Sequence, residues 1–303
     1  MLKKSRLPMI IIFLFPAVFL YGLIFFYPTV KTIVMSFFKM SSISAKMSEW
    51  SFAGLSNYNN LLNSQLFIQS LKNIFFIWLI GGVIIFFFSI IFAVILTSGV
   101  KLKSFFRSII YLPNVVSAVA MATMWIHYVY NSKYGLLKSI FSLLHLDELA
   151  AMQWTSPNNI FMALVIAYSF GMVGYFMLIF MAGIERIPSD FYEAATIDGA
   201  NIFQQFFYIT LPLITDVIRT NIVLWTINAI GFFVWSQLFS PLIPETGTIT
   251  PMVYMYQEVF GGNTVVLERN VGNGAAVGVI LTLIIVLSFI ITNILFKDKK
   301  IEF

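Results

Sequence analysis

The sequence predicts an all-α, polytopic membrane protein, and three observations predict it. Hydrophobic residues make up 59% of the 303 residues and charged residues only 10%, with a mean hydropathy of +0.90. A soluble domain carries about 25% charged residues to keep its surface hydrated. Six apolar runs are long enough to cross a bilayer, and basic residues collect in the short segments at one end of them.

The runs lie near 7–27, 74–98, 109–130, 160–184, 218–239 and 275–296. A helix needs about 20 apolar residues to cross about 30 Å of hydrocarbon. The first run is too long for a signal-peptide core and lacks a small-residue cleavage site, so it reads as a retained span. Gly81, Gly82, Gly171 and Gly174 fall inside runs, where small residues let helices approach closely. Residues 1–303 are expected to form a single transmembrane domain.

Lys3, Lys4 and Arg6, then Lys101, Lys103 and Arg107, then Lys297, Lys299 and Lys300 all fall on one side of a six-span chain. The positive-inside bias makes that side, and both termini, cytoplasmic. Segments 28–73, 131–159 and 240–274 are then external, and 185–217 is one large cytoplasmic loop. The same bias accounts for the net charge of +5 without nucleic acid.

Several chemistries are excluded. With no cysteine there is no disulfide framework, cysteine nucleophile or thiolate metal site. The sequence has no phosphate-binding Gly-x-x-x-x-Gly-Lys-Ser/Thr, no His-Glu-x-x-His and no Gly-x-Ser-x-Gly. No catalytic residue, metal site or bound cofactor is therefore assigned, and the chain is not read as an enzyme. His127 is the only ionisable residue well within a run; a neutral imidazole bonded to a neighbouring helix is the expectation. The scarcity of carboxylates in the runs also argues against a carrier driven by an ion gradient.

The cytoplasmic loop is the most informative segment. Asp190 and Glu193 have the spacing of a capping box at a helix start, and Ala194 and Ala195 favour helix. Gly199 suits the left-handed position that ends a helix. Asn201 can cap a second short helix bearing Phe203 and Phe207, and Pro212 closes the segment. Two short helices with a tight bend are expected; by themselves they serve equally as a connection or as a docking element.

Glu193-Ala194-Ala195, Gly199 and Ile209-x-Leu211-Pro212 resemble, spacing included, the EAA loop of ABC importer permeases. Phe52-x-Gly54-Leu55-x-Asn57-Tyr58 is similar to the opening signature of sugar-type permeases. Arg107, Tyr111-Leu112-Pro113, Ser117, Trp125 and Tyr134-Gly135-Leu136 are similar to their third span. With Ile187-Pro188, the resemblance covers about residues 10–295 and points to the first permease subunit of carbohydrate importers of the maltose and glycerol-phosphate kind. Around 240–251 the chain departs from that family: Pro241-Leu-Ile-Pro244-Glu-Thr-Gly-Thr replaces the usual Thr-x-Gly-Gly-Pro.

The resemblance implies a type I importer permease fold in a bacterial plasma membrane. It implies a second, similar permease, two ATP-binding subunits that hold ATP and Mg, and an extracellular or periplasmic solute-binding protein. It makes Glu193, Ala194, Ala195, Asp198, Gly199, Ile209, Leu211 and Pro212 the ATPase-coupling residues. Trp225, Asn228, Phe232, Trp235 and Gln237 combine hydrogen-bonding groups with aromatic faces, as sugar recognition requires. The first four share one face of a continuous helix, which is either a sugar path or an aromatic helix interface. An importer for a non-sugar solute is the competing reading.

Overall fold

The computed structural model describes residues 6–239, 247–261 and 269–296. Lys3, Lys4, residues 297–300 and most of the atypical stretch after residue 239 lie outside the described residues. Among the described residues, four helices are long and apolar enough to cross a membrane: Pro8–Met35, Gln65–Thr97, Ile160–Ile184 and Val271–Leu295. They are the first, second, fourth and sixth spans. The first runs on to Met35 and the second begins at Gln65, both beyond the apolar runs. Pro28 does not end the first helix, because a wide π-turn at Gly22–Phe26 precedes it. Such a turn relieves the clash of the proline ring with the carbonyl four residues back.

The third and fifth spans correct the expectation of continuous helices. Helix Lys103–Val115 meets the helical segment Ala118–Val129 at 96°. Val116 is extended, and Ser117 restarts the helix with its Oγ accepting from the Ala120 N–H. In the fifth, Thr215–Ile230 ends at Gly231, and a short helix resumes at Val234–Phe239. The returning strand of chain closes this gap. Thr250 Oγ1 donates to the Phe232 carbonyl at 2.6 Å, and Ser236 Oγ donates to that of Thr248. Below it, helical segment Ile202–Leu213 joins Thr215–Ile230 through a 70° bend.

The chain divides into two compact units. One comprises Gln69–Val253 with Leu283–Phe303. Its centre is Ile160–Ile184, whose most apolar stretch is 67% buried, whereas that of Pro8–Met35 is 0% buried. Glycines permit the crossings. A Cβ on Gly174 would lie 2.3 Å from the Ile110 carbonyl oxygen, and one on Gly183 would lie 2.7 Å from the Val217 side chain. Ser89 Oγ donates to the Val173 carbonyl at 2.8 Å, tying the second span to the fourth.

The other unit comprises Met1–Ile68 with Tyr254–Thr282. A two-residue antiparallel ladder pairs Phe38 with Phe52 and Lys39 with Ser51. Asn57, buried, donates to the carbonyls of Ser36 and Phe38 and accepts from Asn270 Nδ2 at 3.1 Å. The Asn270 carboxamide in turn accepts from the Gly272 N–H, and the Val271 N–H donates to the Met40 carbonyl. Gly272 has no room for a side chain, since a Cβ would lie 1.8 Å from the Phe38 oxygen. The 52–58 signature is thus a structural knot: Phe52 rests on Phe38, Gly54 turns at positive φ, and Tyr58 bonds Ser36.

Gly174→Ala tests the close crossing. The added methyl should cost about 1–3 kcal/mol by overpacking. Thermal unfolding of the detergent-purified protein should fall accordingly. Gly22→Ala, whose Cβ would meet nothing within 4 Å, should leave the transition unchanged.

Candidate coupling element and aromatic cluster

Ile187-Pro188 ends the fourth span's approach, and Ser189–Ile197 forms a helix with Pro188 at its N-cap. The expected Asp190–Glu193 capping box is absent, because the proline sets the start and puts Asp190 inside the first turn. There its charge still complements the helix dipole. The helix ends as a Schellman turn. Gly199 is left-handed at φ +80°, its N–H donates to the Thr196 carbonyl, and the Ala200 N–H donates to that of Ala195. A reciprocal capping box then starts the second helix: Asn201 Oδ1 accepts from the Gln204 N–H, and Gln204 Oε1 accepts from the Asn201 N–H.

The expected coupling residues divide between two environments. Glu193, Ala194, Asp198, Gly199 and Pro212 are exposed, whereas Ala195, Ile209 and Leu211 are half-buried. Ile209 packs against the buried core. Polar side chains that sequence reasoning passed over hold the two helices together. Tyr192 OH bonds Thr210 Oγ1 at 2.9 Å, and Gln205 Nε2 donates to Thr196 Oγ1 and the Ala200 carbonyl. A π-turn at Phe206–Thr210 precedes Pro212, as at Pro28. Ile197, 87% exposed, together with Ile202, Phe203, Phe207 and Tyr208, leaves large apolar side chains uncovered.

Two ion pairs fix the root of this element. Glu185 pairs with Lys103 at the start of the third span, and Arg186 pairs with Asp216 at the start of the fifth. Both are exposed, so their contribution to stability is small, about 0–1 kcal/mol each. What they set is position: adjacent residues just before Pro188 reach two different spans.

In the membrane-spanning part, Trp225, Phe232 and Trp235 converge on Tyr168 of the fourth span, with ring centroids 6.0, 4.6 and 5.6 Å from it. Trp225, 1% exposed, donates its indole N–H to the Trp78 carbonyl at 2.8 Å. A π-turn at Ile77–Gly81 widens that helix locally. Gly82 leaves the space, for a Cβ there would lie 2.6 Å from the Trp225 nitrogen. Trp78 returns a bond to Thr226 Oγ1 at 2.9 Å.

The expected single face of Trp225, Asn228, Phe232 and Trp235 does not exist, because the helix is interrupted between Gly231 and Phe233. The three rings are packed inside this chain. Asn228 stands apart, half-buried, its amide donating to the Leu224 carbonyl of its own helix. Gln237 is half-buried on the short helix beyond the break. Tyr168, the centre of the cluster, went unrecognised because an isolated tyrosine in an apolar run carries no periodic signal. His127 is exposed. It forms no hydrogen bond to a neighbouring helix among the described residues, which corrects that expectation.

Residues 85–300 match the family model described as the binding-protein-dependent transport system inner membrane component. The chain belongs to this family. It is a permease subunit of an ABC transporter and an inner-membrane component. It is 31% identical to a probable ABC transporter permease protein of Pyrococcus horikoshii, over 93% of this chain and 94% of that protein. It is 33% identical to the arabinooligosaccharides transport system permease protein of Halalkalibacterium halodurans, over 86% of this chain and 78% of the relative. In fold it resembles a bacterial alginate ABC transporter solved with alginate pentasaccharide-bound periplasmic protein. That likeness has a TM-score of 0.77 and 22% identity, and covers 97% of this chain and 95% of that one.

The permease's aromatic cluster yields a stability test. Trp235→Ala should destabilise the purified protein by about 3–5 kcal/mol, as removal of a buried tryptophan does. Asn228→Ala should cost less than about 1 kcal/mol, since its amide bonds only its own helix. Detergent-based thermal denaturation of both variants separates packing from a solute-facing role.

Proposed function

We propose that this permease carries an oligosaccharide or related sugar into the cell. It pairs with a second, similar permease, draws energy from two ATP-binding subunits that hold ATP and Mg, and receives solute from an extracellular or periplasmic binding protein. The observation that carries the reading is the turn at Gly199, which joins two capped helices with uncovered apolar side chains. Glu193, Ala194, Ala195, Asp198 and Gly199 are its docking surface, and Ile209, Leu211 and Pro212 seat it on the spans. The arabinooligosaccharide permease and the alginate transporter support the sugar class.

The transmission follows from the ion pairs. When the ATP-binding subunits close, they displace Ser189–Ile197. Glu185 and Arg186 pass that displacement to Lys103 and Asp216, at the feet of the third and fifth spans. These are the two spans with breaks, so the segments on either side can reorient without melting helix. Alternating access results, and the chain itself hydrolyses nothing. Asn228 and Gln237 are the polar groups offered to the sugar, with the rings of Trp225, Phe232 and Trp235 walling the path behind them.

Both termini and the coupling element are cytoplasmic in this reading, which the positive-inside bias of the basic clusters supports. Single cysteines in the cysteine-free chain check it. Ser189→Cys should resist an impermeant maleimide in intact cells, and exposed Met47→Cys should react; the opposite pattern would reverse the topology.

Gly199→Val tests the coupling. A β-branched residue at positive φ costs about 1–2 kcal/mol and turns the helix away from its docking geometry. The variant should insert normally yet lose co-purification of the ATPase or transport per ATP hydrolysed in reconstituted membranes. Normal association with normal coupling would remove this element from the transmission path.

A further inference from the structure

Helix Leu136–Leu143 follows directly on the third span and has three chemically distinct faces. On the first, Leu137 packs against the buried core, and Phe141 stacks on Trp154, which stacks on Tyr130. The second is polar: Lys138 and Ser142 lie on it, with Lys138 Nζ donating to the Ser132 carbonyl at 2.9 Å. The third carries Leu136, Ile140, Leu143 and Leu144, all exposed, with Leu143 at 80%. Positions i, i+4, i+7 and i+8 lie together on one side of a helix. Leu146 and Leu149 extend the exposed aliphatic surface into the next turn.

Among the described residues, only one side of this helix is covered, and the uncovered apolar side is distinct from the polar one. Such a partition has a meaning at a membrane boundary, where a helix lying in the plane meets protein, water and acyl chains at once. Gly135 places it there. A Cβ on Gly135 would lie 2.3 Å from the Asn131 carbonyl oxygen, so glycine lets the chain double back as soon as the span ends at Tyr130. Exposed Tyr128 and Tyr134 flank the turn, as tyrosines do at headgroup depth. The exposed face is wholly aliphatic, whereas the core of a protein interface is enriched in aromatic residues and arginine.

We infer that the face formed by Leu136, Ile140, Leu143 and Leu144 is a lipid-binding surface, seated at the headgroup–acyl boundary of the bilayer. It anchors the end of the third span in depth, so that Ala118–Val129, beyond the bend, stays fixed relative to the membrane. The inference requires the chain's membrane location but neither its orientation nor the identity of its solute.

Site-directed spin labelling tests it. Leu143→Cys, Ile140→Cys and Ser142→Cys are introduced singly into the full chain, and the transporter is purified through this chain and reconstituted into phosphatidylethanolamine–phosphatidylglycerol liposomes. The unmutated chain gives the background. Collision rates are measured with molecular oxygen, which concentrates in lipid, and with a water-soluble nickel chelate present on both sides. Labels at 143 and 140 should favour oxygen severalfold over the label at 142, which should favour nickel. Nickel preference at both 143 and 140 would overturn the inference. So would labels at 143 and 140 that are shielded from both reagents only when the solute-binding protein is added; the occupant would then be that protein.

Discussion

A backbone N–H or C=O within hydrocarbon has no water to bond, and each one left unpaired costs several kcal/mol. Three departures from a straight helix in the spans of this permease answer to that constraint. The third span breaks at Val116, and the Ser117 hydroxyl takes up an N–H of the restarted helix. The fifth breaks after Ile230, and Thr250 supplies the donor for the Phe232 carbonyl. The second widens into a π-turn at Ile77–Gly81, and the Trp225 indole takes up the Trp78 carbonyl. Two of these three irregularities are held by side chains or chain segments from elsewhere in the sequence, so the breaks fix tertiary structure as well as interrupt helices.

That dependence explains what was legible in the sequence. The apolar runs overlap the four long helices and the two bent helix pairs, because the bilayer sets run length, although the first helix runs on to Met35 and the second begins at Gln65. The Gly199 turn and the Asn201 cap were readable because their partners lie within five residues, and the structure places both as expected. Breaks were not readable where their partner is remote: nothing near Gly231 announces that Thr250 will return to the Phe232 carbonyl. The misplaced capping box has a local cause instead. Asp190 and Glu193 have the right spacing, but Pro188 takes the N-cap position and Asp190 falls inside the first turn.

The aromatic residues show the same limit from another side. A helical wheel puts Trp225 and Trp235 on one stripe only if the helix continues, and the interruption rotates the second ring independently of the first. What brings both onto Tyr168 is the room left by small residues. Gly82 admits the Trp225 indole edge, whereas a Cβ on Gly171 would still meet the Trp235 ring at an ordinary 3.9 Å. The 52–58 signature was likewise visible as a motif, yet its cause lay in Asn270 and Gly272, more than two hundred residues away in sequence.

The distribution of breaks bears on how such a chain can move. The fourth span is unbroken and the most buried, and the largest rings pack onto it, so bending it would forfeit dispersion contacts along its length. The third and fifth spans flank it in sequence, and each has a joint where a hydroxyl holds a backbone group, Ser117 Oγ the Ala120 N–H and Thr250 Oγ1 the Phe232 carbonyl. Rotation about such a joint exchanges one or two hydrogen bonds, whereas rotation within a regular helix would expose several carbonyls to lipid. Glu185 and Arg186 tie the coupling element to the starts of those two jointed spans. In the proposed mechanism, a displacement arriving at Pro188 would therefore meet least resistance at Val116 and Gly231, with the fourth span as the axis against which the two lower segments turn.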